Sequence, residues 1–288
     1  MSAEIGSDIH GKPLVASDVK NTLGEGPFWD SQIRALFWVD IIESKIYRMK
    51  EGRLEVSDAP ALVSSISKNA DGGYIITAGN AIYSWNGSTF IKLCSIDESG
   101  TRFNDAKCGP DGGLWAGTMD LEQHRAIGNL YRVGRDLKPV KVLSMLTISN
   151  GLGWSPEGTV MYHADTPKGC VFAYDFNDGK LANRRIAFRF KENEGLPDGL
   201  CIDEEGCIWV AHYGGGRVSR WASDGRKLGE ILFPTKNITS VAFGGDDLDV
   251  LFVTSARYGL ESPDAAAGAL FKLKPGVHGI ENYTFGRR

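Results

Sequence analysis

A polar turn followed by an apolar strand recurs six times along this chain. The copies are DSQIRALFWVDI from Asp30, NADGGYIITAG from Asn69, GPDGGLWAGT from Gly109, SPEGTVMYHADT from Ser155, DEEGCIWVAHY from Asp203 and GGDDLDVLFVTSA from Gly244. Trp38, Ile75, Trp115, Met161, Trp209 and Phe252 hold matched positions, and successive anchors lie roughly 37 to 48 residues apart, the period of a four-stranded propeller blade. Alternating runs such as KIYRMK, AIYSWNG, GNLYRV, CVFAYDF and RVSRWAS lie between the copies and read as further strands. Helical periodicity is nearly absent; SPDAAAGALFKL is the one tempting segment, and its glycine weakens it. A pair of β-sandwiches would not demand a sixfold repeat.

The expected fold is therefore an all-β, six-bladed β-propeller, one domain over residues 1–288 with a loose tail over residues 1–13. LVASDVK, near the start, has strand composition. It is expected to close the ring by completing a sheet with FKLKPG and ENYTF, hiding otherwise exposed edges.

Composition narrows the function. The net charge of −4 is mild and no basic tract is present, which speaks against nucleic acid as a partner. No apolar run approaches the roughly 18–20 residues of a membrane helix, so no membrane role is expected. MSAEIGSDIHGKPLV lacks a basic head before an apolar core, so a secretory signal is not expected. The five cysteines form an odd set without a CxxC pair, which favours reduced thiols and a cytoplasmic setting. The sequons at Asn86 and Asn237 then read as chance matches. Nothing suggests an obligate partner, and a monomer is the default.

Counting back about eleven residues from each anchor reaches Glu25 in EGPFW, Ser64 in SSIS, Asn104 in NDAKC, Asn150 in NGLGW, Asp198 in DGLCI and Ser240 in SVAF. Each begins the strand before the repeated turn. In a propeller the innermost strands line the central channel, so these six polar residues are expected at one mouth. Taken singly, Asn-Gly and Asp-Gly are ordinary turn formers; their shared phase is what points to a site. Two carboxylates crowded together are costly without a counter-ion. Glu25 and Asp198 supply two negative charges, Asn150 a neutral oxygen, and Asn104 either another oxygen or a substrate contact. One divalent cation satisfies this set. Oxygen donors favour calcium, magnesium or manganese, but do not by themselves separate these from zinc or iron.

LGEGPFW, RFNDAKCGPDGGLWAGTM, SNGLGWSPEG, YHADT and PDGLCIDEEG, in this order from Leu23 to Arg257, resemble the senescence marker protein/regucalcin/gluconolactonase family. The resemblance implies a six-bladed lactonase with one divalent cation in its channel. By motif it assigns Glu25, Asn150 and Asp198 to the metal, Arg102 and Asn104 to the substrate, and Glu122 to sugar hydroxyls. The loop LEQHRAIGN that follows looks short, which bears on substrate choice.

The expected reaction opens a sugar lactone (an aldonolactone) to its aldonic acid. The cation would polarise the carbonyl, with Asp198 as general base; a metal-bound hydroxide competes for that role. Arg102 offers several hydrogen bonds to hydroxyls or to the product carboxylate. The alternatives are a metal-dependent esterase or organophosphate hydrolase, and a non-enzymatic calcium-binding propeller. His163 and Asp165 in YHADT either support a ligand from behind or pack the strand. His212, before three glycines, reads as structural.

Overall fold

A computed structural model describes residues 11–287, so the expected tail falls outside the described residues except for 11–13. Strand β1 (Leu14–Ser17) precedes the first complete blade, β2 (Gly24–Asp30), β3 (Ala35–Asp40), β4 (Lys45–Lys50) and β5 (Arg53–Asp58). Blade two is β6 (Val63–Lys68), β7 (Tyr74–Ala78), β8 (Ala81–Trp85) and β9 (Phe90–Ser95). Blade three is β10 (Thr101–Cys108), β11 (Leu114–Asp120), β12 (Gly128–Val133) and β13 (Pro139–Leu146). Blade four is β14 (Ser149–Trp154), β15 (Val160–Asp165), β16 (Cys170–Asn177) and β17 (Lys180–Arg189). Blade five is β18 (Leu196–Ile202), β19 (Ile208–Tyr213), β20 (Arg217–Trp221) and β21 (Lys227–Leu232). Blade six joins β22 (Ile238–Gly244), β23 (Val250–Ser255) and β24 (Leu270–Leu273) to β1. Each blade is a four-stranded antiparallel meander, and together they form a six-bladed β-propeller.

All six anchors fall on the second strand of their blades and are buried. Their side chains fill the seams between neighbouring blades rather than the blades themselves. Trp115, Trp154 and Phe176 meet edge to face, with Trp115 and Trp154 centroids 6.1 Å apart, joining blades three and four. Trp209 with Phe243, and Phe233 with Phe271, meet edge to face between blades five and six. Burying each such aromatic contributes on the order of 1.5–3 kcal/mol. The alternating strands thus have two apolar faces because each blade is covered on both sides.

Ring closure is half as expected. β1 pairs antiparallel with β24, with Leu14 opposite Lys272 and Val15 opposite Phe271. ENYTF is not in that sheet. Beyond Pro275-Gly276 the chain crosses the end of the channel, where the Phe285 N–H donates to the Lys68 carbonyl at 2.9 Å and Tyr283 packs edge-on against Trp154. The sheet is already complete once β1 is in place, so this segment finds its hydrogen bonds in blade two instead. SPDAAAGALFKL forms turns and then β24; the single helical turn among the described residues is a 3-10 turn, Thr166–Lys168.

Candidate active site

The channel mouth is shaped by bulges. Every inner strand shifts register beside its candidate residue: between Glu25 and Phe28, Val63 and Ser65, Phe103 and Ala106, Asn150 and Leu152, Pro197 and Leu200, and Ile238 and Ser240. A bulge inserts a residue and re-aims its side chain. The Glu-Gly, Asn-Gly and Asp-Gly pairs therefore lie inside β2, β14 and β18, not in turns. Their glycines let neighbouring inner strands approach. A Cβ on Gly151 would fall 2.5 Å from the Asp198 carbonyl oxygen, and one on Gly199 would collide with Ser240 Oγ.

The approach to these strands is fixed by second-strand aspartates. Asp40 accepts the backbone N–H groups of Thr22 (2.6 Å) and Leu23 (3.1 Å), just before Glu25. Asp165 does the same for Thr147 (3.2 Å) and Ile148 (3.1 Å), just before Asn150. His163 Nε2 lies 2.8 Å from Ser149 Oγ, and burial holds its imidazole down at about 3, hence neutral. His163 and Asp165 thus brace the residues that lead into Asn150. His212 is held between the Glu194 carbonyl and Ser219 Oγ and stacked on Phe190, a packed strand residue.

An open cleft of about 460 Å³ sits at this mouth, lined among others by Glu25, Arg102, Asn104, Asn150 and Asp198. The four glutamate, asparagine and aspartate positions of the repeat thus converge. Ser64 and Ser240 do not line it; Ser64 is bonded to Thr77. Asn150 is 5 % exposed and Asp198 4 %. The Asn150 amide donates to Thr166 Oγ1 (3.0 Å), which in turn donates to the Pro197 carbonyl (2.9 Å). With its nitrogen so committed, Asn150 Oδ1 has no partner, and neither has Asp198 Oδ1. Buried oxygens without partners are rare and costly.

Burial, then the Asp105 charge, pushes the Glu25 carboxyl up to about 8, against the Gly26 N–H and Arg102. Asp198 is raised well above the usual carboxylate range by burial, then by Glu25 and Asp105. Among the described residues no ion pair relieves either acid. No group of three or more His, Cys, Asp or Glu among them is placed to hold a metal, so a cation here would need the amide oxygen of Asn150.

Arg102 is buried, and its Nη1 donates to the Phe103 carbonyl (2.8 Å) and Asn104 Oδ1 (3.0 Å). Asn104 donates to the Ser149 carbonyl (3.0 Å). Burial lowers the Arg102 guanidinium to about 10, leaving it charged at neutral pH. Glu122 is not in the cleft. Its side chain is 64 % exposed, 3.7 Å from His124 Nε2 and 3.9 Å from Arg125 Nε. Its neighbour Gln123, with φ 64°, lines the cleft instead and donates to the Tyr258 hydroxyl at 3.3 Å. Tyr213, Tyr258, Met119 and Thr166 also line it. Sequence reasoning passed over all of these, although Tyr213 and Thr166 lie in repeat units it had aligned.

The fold and mouth define a class: a six-bladed propeller whose inner strands present a set of oxygen donors to one cleft. The SMP-30/Gluconolactonase/LRE-like region pattern matches residues 23–257, and the chain belongs to that family. Regucalcin of Danio rerio is 36% identical over 281 residues, covering 92% of this chain and 95% of the relative. A solved structure described as a calcium-binding protein, regucalcin, from Agrobacterium tumefaciens superposes with a TM-score of 0.90 at 28% identity, covering 96% of this chain and 98% of the other. A gluconolactonase from Xanthomonas campestris superposes with a TM-score of 0.77 at 26% identity, covering 92% and 89%. All five cysteines are unpaired, and no helix among the described residues is long and apolar enough to cross a membrane.

Proposed function

We infer that this protein is a sugar lactonase that hydrolyses aldonolactones to aldonic acids with the help of one divalent cation held by Glu25, Asn150 and Asp198. The observation that carries this reading is the pair of partnerless buried oxygens, Asn150 Oδ1 and Asp198 Oδ1, in a cleft shared with Glu25. Two acids and an amide supply oxygen donors and two negative charges, a set suited to a hard dication. When bound, such an ion polarises the lactone carbonyl and stabilises the charge that develops on its oxygen.

The chain's own residues supply the rest. Asp198 accepts a proton from the attacking water as the water oxygen bonds to the carbonyl carbon. The bond from that carbon to the ring oxygen then breaks, and the ring oxygen takes up the proton as a new hydroxyl. Arg102, locked by the Phe103 carbonyl and Asn104, presents its remaining N–H groups to substrate hydroxyls and to the product carboxylate. Asn104 holds Arg102 through its oxygen and Ser149 through one amide hydrogen, leaving the other for substrate. At the rim, Gln123 stands where Glu122 was expected to touch the sugar.

A proton-release assay over gluconolactone, galactonolactone, xylonolactone and arabinolactone, with and without chelator, tests this. Turnover that survives complete chelation removes the cation from the reaction. Calcium binding with no turnover on any lactone would favour a binding protein, the reading suggested by the calcium-binding relative.

A further inference from the structure

We propose that Lys107 is a positioning residue for the cation cage, acting through the backbone beneath Asp198; this rests on the lactonase reading above. The bulge in β10 sends Asn104 into the cleft and leaves Asp105 and Lys107 lining the channel below it. Two residues apart on one strand, Asp105 and Lys107 share a face. Lys107 Nζ crosses from blade three to blade five and donates to the Leu200 carbonyl at 2.8 Å. Leu200 is where β18 resumes its pairing with β19 after the bulge that carries Asp198. Asp105 on the same strand faces the backbone of Leu152, where β14 resumes pairing after Asn150.

One strand thus reaches two others at equivalent points, each two residues beyond a cage residue, and Lys107 makes the hydrogen bond. A bulge leaves its extra residue without ladder bonds, so the segment that aims Asp198 has lost part of its own restraint. The Lys107 bond restores an anchor at its lower edge. Partners of this kind, which orient ligands without touching the metal, typically change affinity by about 10–100-fold when removed.

The rival account is that Lys107 only offsets the negative charge of Glu25, Asp105 and Asp198. The two accounts predict opposite signs. Removing a nearby positive charge strengthens attraction for a dication; removing an anchor weakens binding. Calorimetric titration of the full chain with calcium, manganese and zinc salts, well below the melting temperature, separates them. Lys107→Met is expected to bind the preferred ion about 10-fold or more weakly than wild type. Equal or tighter binding overturns the proposal and leaves the cage intact. Wild-type protein that binds none of the three ions overturns the cage, and the proposal with it. Should Lys107→Met lack a cooperative melt in chelator, Lys107→Gln, also uncharged and too short to reach Leu200, gives the same two outcomes.

Discussion

Strands β2 and β18 each carry an acid at the upper mouth, and each leads to another acid at the lower end: Glu25 and Asp30, Asp198 and Asp203. The lower pair is satisfied by the protein. Asp30 Oδ2 accepts Lys68 Nζ at 2.7 Å and the Tyr74 hydroxyl at 2.8 Å. Asp203 Oδ2 accepts Trp209 Nε1 and Arg220 Nε, both at 2.8 Å. The upper pair is met only by neutral groups, the Gly26 N–H on Glu25 and the Asn150 side chain and Gly199 N–H beside Asp198, with no ion pair among the described residues, where Asp198 Oδ1 has no partner. Asp30, Asp198 and Asp203 are all buried, so burial does not distinguish the ends. A buried charge is tolerated when it is paired and hydrogen-bonded. At one end of the channel the fold supplies the counter-charge; at the other it supplies none, and the proposed cation would take that place.

The largest effect expected from this contrast is on turnover. Asp198→Asn and Glu25→Gln should each lower lactone kcat/KM by about 10³-fold or more, the scale of removing a charge-stabilising group from an active site. Their cation-free melting temperatures should hold or rise, because each removes a crowded acid. A variant with near wild-type proton release would break the assignment of the upper end.

The lower end should respond the other way. Asp203→Asn removes the 2.7 Å ion pair between Asp203 and Arg220, both buried, while the partly exposed Glu205 keeps its own. The loss should be about 3 kcal/mol, read by denaturant unfolding, with turnover per folded molecule preserved. Loss of turnover without loss of stability would erase the distinction between the ends.

The third effect is on pH dependence. A Glu25 carboxyl raised from 4.5 to about 8 by folding favours the native state when protonated. Its stabilising contribution is complete below about 4.5 and is lost as pH rises through about 8. Asp198, also raised, adds in the same direction. Cation-free protein should therefore lose several degrees of melting temperature across this window, and saturating cation should remove much of that loss by holding both acids ionised. Glu25→Gln should flatten the cation-free profile. A profile that Glu25→Gln leaves unchanged would assign the titration elsewhere.

What could be read from sequence follows the repeat. The anchors Trp38, Trp115 and Trp209 and the polar positions Glu25, Asn150 and Asp198 share one phase, so a single alignment placed them all. Features without a repeat partner were not legible in this way. ENYTF has strand composition, but its destination across the channel depends on β1 having already filled the sixth sheet. The loop between β11 and β12 differs in length from the corresponding loops of the other blades, and a left-handed Gln123 turns the chain so that it, not Glu122, reaches the cleft. The Lys107 bond to Leu200 spans two blades, a relation that no local pattern records. Tyr213 was within reach, since it closes the fifth unit at the place where Asp165 closes the fourth.

The smallest expected effect sharpens the cleft's own two sides. Arg102 is fixed on the inner wall by two hydrogen bonds, whereas Glu122 stands in solvent beside His124 and Arg125. A hydrogen bond from a charged donor contributes about 1.5–3 kcal/mol, so Arg102→Met should raise KM for hydroxyl-rich lactones by roughly 10-fold or more. The rise should be much smaller for an unsubstituted δ-lactone, which has no hydroxyls to lose. Glu122→Gln should change neither by more than about twofold, since exposed ion pairs contribute little. Steady-state proton release on both substrates measures all four ratios. A large, hydroxyl-dependent effect at Glu122 with none at Arg102 would mean that the loop closes over the substrate and that recognition lies on the outer rim.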